Sequence, residues 1–236
     1  MHSARIAELL QPFLQDAGDP RPAAHEALDR DISTYIDILS RWNARANLTA
    51  IRDPEEIVTR HFGESLFAAR HLFPNSARPG KTIKNSSVHS ASSVGKDVDS
   101  SVADLGSGAG FPGIPIKLWA PSIHLTLIES NHKKAIFLRE VTRALTLTNI
   151  DIQNARAEAI SQTYDVVTLR AVEHFVQVLP VAARLTGPRG RLLLLLGSAQ
   201  LGETISILPN FSWQPPIQVP MSQSRVLLLG TLAPQE

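Results

Sequence analysis

Asp104-Leu-Gly-Ser-Gly-Ala-Gly-Phe-Pro-Gly-Ile-Pro115 is the stretch on which the reading of this chain turns. Ahead of it, Ser101 to Leu105 is a short apolar run of the kind that forms a buried strand. Gly106, Gly108 and Gly110 then allow the backbone to turn tightly and lie flat against a ligand, which a Cβ would obstruct. Pro112 suits the start of a helix, where its missing N–H has no partner to lose. Strand, glycine turn and helix in that order form a loop for a nucleotide-type cofactor. The spacing is G-x-G-x-G followed by Phe111, not the G-x-G-x-x-G of dinucleotide binders, which points away from a pyrophosphate cofactor.

Working outward, His124 to Glu129 is an apolar run that ends in a carboxylate nineteen residues after Gly110. An acid at the end of the second strand can accept hydrogen bonds from ribose hydroxyls, so Glu129 is a candidate cofactor ligand. Downstream, strand and helix patterns alternate: helix 112–119, strand 123–128, helix 132–145, strands 150–154 and 165–169, helix 174–184 and strand 190–196. This predicts an α/β domain over 101–236 with a mostly parallel sheet covered on both faces. A short helix near 203–208 and strands over 211–219 and 225–232 follow, with Pro215-Pro216 expected to break the first of these or hold it at an edge.

Upstream, Leu28, Ile32, Tyr35, Ile36, Leu39 and Trp42 recur at helical spacing, and Ile6 to Leu14 is also helical in pattern. Asp53 followed by Pro54 and Glu56 marks another helix start, running to about Leu72. Residues 1–75 therefore read as a helical N-terminal subdomain. Residues 76–100 are rich in Ser, Lys and Asn with no periodicity, and read as a linker or insert too poor in apolar groups to order itself.

Composition narrows the chemistry. The chain has 236 residues and no cysteine, which excludes disulfides, thiolate metal sites and thiolate nucleophiles. Its longest apolar run, Leu192 to Leu196, is too short to span a bilayer, and no leader pattern opens the sequence, so a soluble cytoplasmic protein is expected. Formal charge is only +1, with 23 basic against 22 acidic residues, so contact with nucleic acid requires local clustering. Two scatters exist: Arg41, Arg45, Arg52 and Arg60-His61 upstream, diluted by Asp53, Glu55, Glu56 and Glu64, and His132, Lys133, Lys134, Arg139 and Arg143 along one predicted helix, either a face for RNA phosphates or a solvated face. Asn154 to Glu158 follows the third strand, where backbone at Ala157 can meet an adenine edge. Arg170 ends the fourth strand, either to hold a ligand carboxylate or phosphate or to pair with a protein acid.

Arg41-Trp42-Asn43, Asn47-Leu48-Thr49, Arg52-Asp53-Pro54, Arg60-His61, Ser65-Leu66, the glycine loop and Leu169-Arg170-Ala171 together resemble the ribosomal RNA small subunit methyltransferase G family, also called glucose-inhibited division protein B. The likeness spans roughly residues 30 to 200 outside the Ser-rich stretch. It implies a class I methyltransferase (Rossmann-like) fold that uses S-adenosyl-L-methionine to methylate N7 of a guanosine in 16S ribosomal RNA, free or in the small ribosomal subunit. A monomer with neither metal nor membrane attachment is expected. Cofactor contacts carry over to Gly106 and Phe111, to Ala157 and Glu158, and to Arg170, with Glu129 where the family has its ribose-binding acid; no catalytic base is required. The sequence departs from the family pattern at Leu196, where a lysine is usual, at Val226, where histidine is common, and in the insert. An NAD(P)-dependent oxidoreductase and a non-catalytic RNA-binding relative are the alternative readings. The first lacks the sixth-position glycine and an evident catalytic pair.

Overall fold

The sheet is built around the strand that precedes the glycine loop. In the computed structural model, which describes residues 1–14, 25–74, 76, 100–170 and 175–233, β1 (Ser101–Leu105) pairs in parallel with β2 (His124–Ile128) on one side and β4 (Tyr164–Arg170) on the other. Beyond β2 lies β3 (Ile150–Gln153), and beyond β4 lies β5 (Thr186–Gly197), both parallel to their neighbours. β8 (Arg225–Leu232) runs antiparallel against β5, and β6 (Phe211–Trp213) and β7 (Ile217–Gln218) pair antiparallel with β8. The strand order is β3-β2-β1-β4-β5-β8-β6. Chain order thus moves outward from β1 to β3 and jumps back across β1 to β4. That reversal opens a crevice at the carboxyl ends of β1 and β4.

Side-chain alternation explains how one sheet supports two cores. Along β5, Leu193 and Leu195 face one hydrophobic cluster while Leu192, Leu194 and Leu196 face the other. Onto the first face pack α1 (Ser3–Leu14), α2 (His25–Ala46), α4 (Glu64–Leu72), α5 (Gly113–Trp119) and α6 (His132–Ala144). Onto the second pack α7 (Phe175–Leu185) and α8 (Leu201–Ile207). The N-terminal helices therefore share one continuous core with the sheet; Ile6, Ile32 and Leu66 are buried in the same cluster as Val102, Leu125 and Leu193. Each such side chain contributes on the order of 1.5–3 kcal/mol by leaving water.

Local chemistry sets the helix starts. Asp53 caps α3 (Pro54–Glu56) by accepting from the Glu56 N–H at 2.8 Å, with Pro54 in the first turn. The chain continues as a π-helical stretch, Ile57–Gly63, and then as α4. The stretch carries Arg60 and His61, and such wide turns are frequent at functional sites. Pro112 stands at the cap of α5, just before the first helical residue.

Pro215 and Pro216 separate β6 from β7 and interrupt the pairing of that segment with β8, because proline has no N–H for the ladder. β5 begins at Thr186, earlier than its leucine run suggests, since Thr186 already pairs with Tyr164 ahead of a bulge. Leu196 is buried in the second core, so a lysine there would place an ammonium among leucines. Most of the expected insert, 77–99, and Ala171 of the Leu169-Arg170-Ala171 motif lie outside the described residues.

Candidate functional site: a glycine cradle braced by the N-terminal helices

The carboxyl ends of β1, β2, β3 and β4 deliver the glycine loop, Glu129, the Asn154–Glu158 segment and Arg170 to one edge of the sheet. Gly106, Gly108 and Gly110 have φ of 65°, 55° and 85°, the left-handed region that a side chain disfavours. The loop is held from beneath. Gly106 and Ser107 N–H groups donate to the Ile128 carbonyl at 2.9 and 3.1 Å, and the Gly110 N–H donates to the Ser107 carbonyl at 2.6 Å. A Cβ built at Gly108 would find only the Gly106 carbonyl within 4 Å, at 3.7 Å. Its outer side is open, a bare main-chain cradle of the kind a flat cofactor requires.

Glu129 has two tasks. Its Oε2 accepts from the Gly108 N–H at 2.8 Å and its Oε1 from the Asn131 N–H at 2.7 Å, so the acid pins the cradle and the entry to α6. A carboxylate offers about four lone-pair positions, which leaves capacity for ribose hydroxyls. Asn154 holds the same strand end, donating to the carbonyls of Glu129 and Ser130 at 2.9 and 3.0 Å. Ala157 and Glu158 form a short 3-10 turn whose carbonyls accept from Arg184.

Phe111 is not a free platform. Its ring is buried between Tyr35, stacked at 5.4 Å, and His61, stacked at 4.7 Å, with Phe62 edge-on at 5.0 Å. Tyr35 also donates to the Ala109 carbonyl. The aromatic side chain therefore anchors the loop to the N-terminal helices, leaving main chain to face a ligand.

His61, expected from the sequence to be at most a packed helix histidine with no acid–base role, is a central residue of the site. Arg170 Nη1 lies 3.1 Å from its Nδ1. A guanidinium only donates, so Nδ1 must accept, and the ring proton resides on Nε2, which donates to Thr49 Oγ1 at 2.7 Å. Thr49 is fixed in turn by Asn43, whose amide pairs with its carbonyl and N–H at 2.9 and 3.0 Å. The presence of Asn43, Thr49 and His61 in the motif set was the available signal. Burial chiefly, then the Arg170, Arg60 and Arg225 charges, lowers the His61 pKa to about 3. His61 is neutral, with its one free lone pair occupied.

Arg170 is wired inward. Nη2 donates to Glu64 Oε2 at 3.0 Å and to the Arg60 carbonyl. Glu64 also meets Arg225 Nη2 at 2.6 Å and Arg60 Nε at 3.4 Å, so three guanidiniums surround a carboxylate that is 1% exposed. Burial pushes the Glu64 carboxyl up against the pull of those cations. Of the two roles open to Arg170, the geometry shows pairing with a protein acid.

Beneath the loop, Asp104 is fully buried and accepts from Thr168 Oγ1 at 2.9 Å and the Gly113 N–H at 3.2 Å. Burial, only partly offset by these bonds, raises its pKa to about 7. A carboxyl raised in the folded state stabilises fully below its unfolded value of 3.8, and that contribution is lost as pH rises through about 7. His61 has the opposite sign: its contribution is present above 6.5 and is lost as pH falls toward 3. Asp104→Asn is therefore expected to gain stability relative to the parent protein as pH rises from 5 to 8, measured as the difference in thermal midpoints. Parallel pH profiles for the two proteins would refute the assignment.

Among the described residues no group of three or more His, Asp or Glu is placed to hold a metal ion. Nor is any helix among them long and apolar enough to cross a membrane.

Comparison with known proteins gives a consistent result. A family model described as rRNA small subunit methyltransferase G matches residues 29–78 and 81–209. A ribosomal RNA small subunit methyltransferase G from Xylella fastidiosa is 38% identical over 190 residues, covering 79% of this chain and 78% of that protein. One from Stenotrophomonas maltophilia is 37% identical over 221 residues, covering 93% and 89% respectively. Among solved structures, a ribosomal protein L11 methylase from Lactobacillus delbrueckii superposes with a TM-score of 0.55 at 11% identity, covering 74% of this chain and 79% of that one, a likeness of fold.

Proposed function

Since this chain belongs to the rRNA small subunit methyltransferase G family, we propose that it transfers a methyl group from S-adenosylmethionine to N7 of a guanosine in 16S ribosomal RNA. The observation that carries this is the left-handed main-chain turn at Gly106, Gly108 and Gly110, open over Gly108, with Glu129 fixed beside it by the Gly108 N–H. These residues fit the cofactor. Bare backbone would hold the methionyl and adenosyl parts, Glu129 the ribose hydroxyls, and the Ala157–Glu158 backbone the adenine edge. Phe111 contributes through main chain, and Arg170 by holding the helices that brace Phe111.

When bound, S-adenosylmethionine supplies an activated methyl on a sulfonium. Guanine N7 has an in-plane lone pair and no proton, so the protein need not remove one. The site accords with that. His61, the titratable ring packed on Phe111, has a pKa near 3 and its Nδ1 lone pair occupied by Arg170, so it is unsuited to act as a base at neutral pH. Catalysis then rests on positioning two reactants in line, an effect that can reach about 7–11 kcal/mol in favourable systems. Pyrimidine C5 methylation usually needs a cysteine adduct, which this chain cannot form.

Small-subunit RNA incubated with the protein and S-adenosylmethionine is expected to become cleavable by borohydride and aniline at one guanosine. Methyl incorporation without that cleavage would move the target to another atom. No incorporation by protein that binds the cofactor would contradict a methyltransferase role.

A further inference from the structure

Parts of the two basic scatters meet in space, Arg41 and Arg45 from the first and Lys133, Arg139 and Arg143 from the second. A groove of about 680 Å³ between the carboxyl-terminal half of α2 and the start of α6 is lined by Arg41, Trp42, Arg45, Lys133 and Glu140, with small side chains between them. A second hollow of about 510 Å³ shares Glu140 and continues along α6 past Ile136, Arg139 and Arg143. Five exposed cations thus face one acid, on a chain whose formal charge is only +1.

Trp42 is held in place at this surface. It is partly buried against the core, edge-on to Phe137 at 5.8 Å, and its Nε1 donates to Glu140 at 2.8 Å. Glu140 also approaches Arg41 at 3.9 Å, so the one acid orders the aromatic and a neighbouring cation.

We propose that this groove is where the RNA flanking the target nucleotide docks, with Arg45, Lys133, Arg139 and Arg143 meeting phosphates and Trp42 offering a ring to an unstacked base. The inference rests on the methyltransferase reading and adds the surface that presents the substrate. Charge complementarity selects a polyanion, and an aromatic ring among cations suits nucleic acid with accessible bases. Position supports the same partner. Lys133 is four residues beyond Glu129, the acid that pins the cradle, while Arg45 lies at the end of α2 just before Thr49, which binds His61. On both helices the groove's lining thus adjoins, in sequence, residues that fix the cofactor crevice.

The test is methyl transfer to naked small-subunit RNA and to intact small subunits by the full chain and by Arg45→Ala/Lys133→Ala. Titration with S-adenosylhomocysteine and thermal melting serve as controls. On naked RNA the double variant is expected to show a rise in KM of about tenfold with kcat little changed. The slope of log affinity against log salt should fall by about 1.4, roughly 0.7 for each phosphate contact to single-stranded RNA. Trp42→Phe, which keeps a ring on Phe137, should retain more affinity than Trp42→Leu. Unchanged KM and salt slope in an active, folded double variant would overturn the groove assignment while leaving the methyltransferase reading intact. A defect seen only on intact subunits would assign the groove to a ribosomal protein and overturn it equally. Failure of the parent protein itself to methylate RNA while binding S-adenosylhomocysteine would remove the reading beneath it.

Discussion

Gly110→Ala is expected to lose cofactor binding and to lower stability by roughly 2–5 kcal/mol. Two costs add at this residue. Its φ of 85° is one that a Cβ disfavours. The added carbon would also collide with the Tyr35 hydroxyl and come within 2.7 Å of Ile114 Cδ1. Tyr35 cannot simply retreat, because its ring is stacked on Phe111 and edge-on to Phe62 and its hydroxyl holds the Ala109 carbonyl. Relief must come from moving the loop, which displaces the cradle. Urea unfolding and S-adenosylhomocysteine titration read the two effects separately. Gly202→Ala is the control, since nothing lies within 4 Å of its new carbon in α8 and it should be neutral or stabilise by up to about 1 kcal/mol. A Gly110→Ala protein within about 1 kcal/mol of the parent and with unchanged affinity would contradict the assigned loop geometry.

Glu64→Ala carries the second large effect, a loss of about 3–5 kcal/mol. The substitution removes the shared partner of Arg60, Arg170 and Arg225 and leaves Arg170 buried without its counter-charge. Arg170 fixes the His61 tautomer and His61 packs on Phe111, so the loop should loosen as well. Glu64→Gln keeps the shape and should recover part of the stability but not all of it, because a neutral amide cannot balance three cations. Equilibrium unfolding of the three proteins decides the matter. Should Glu64→Ala cost less than about 1 kcal/mol, the cluster is no more than a solvated surface network.

The residues that were legible in the sequence are those whose signal is local. Three alternate glycines between a strand and a helix, an acid closing the next strand, Asp53 before Pro54, and the short apolar run of β5 each express a short-range physical rule. The site's bracing has no such rule. Glu64 meets arginines at 60, 170 and 225, and only the first lies at helical spacing; the others arrive through sheet order. Phe111 was legible as a loop residue, but the loop sequence does not show that its ring is enclosed by Tyr35 and His61 from distant helices. Glu129 was read as a ligand acceptor, and its second task of fixing the Gly108 N–H emerges only from geometry. The basic groove was hidden for the same reason, since its two halves are some ninety residues apart and join through the packing of α2 on α6.

In the proposed complex, bare main chain between positions 106 and 110, with Glu129 opposite, holds the methyl donor. A crystal structure with S-adenosylhomocysteine tests it most directly. The ligand is expected against the Gly106–Gly110 backbone, its ribose hydroxyls on Glu129 and its adenine by Ala157 and Glu158. Ligand bound elsewhere, or a Glu129 that makes no contact with the ribose, would contradict it.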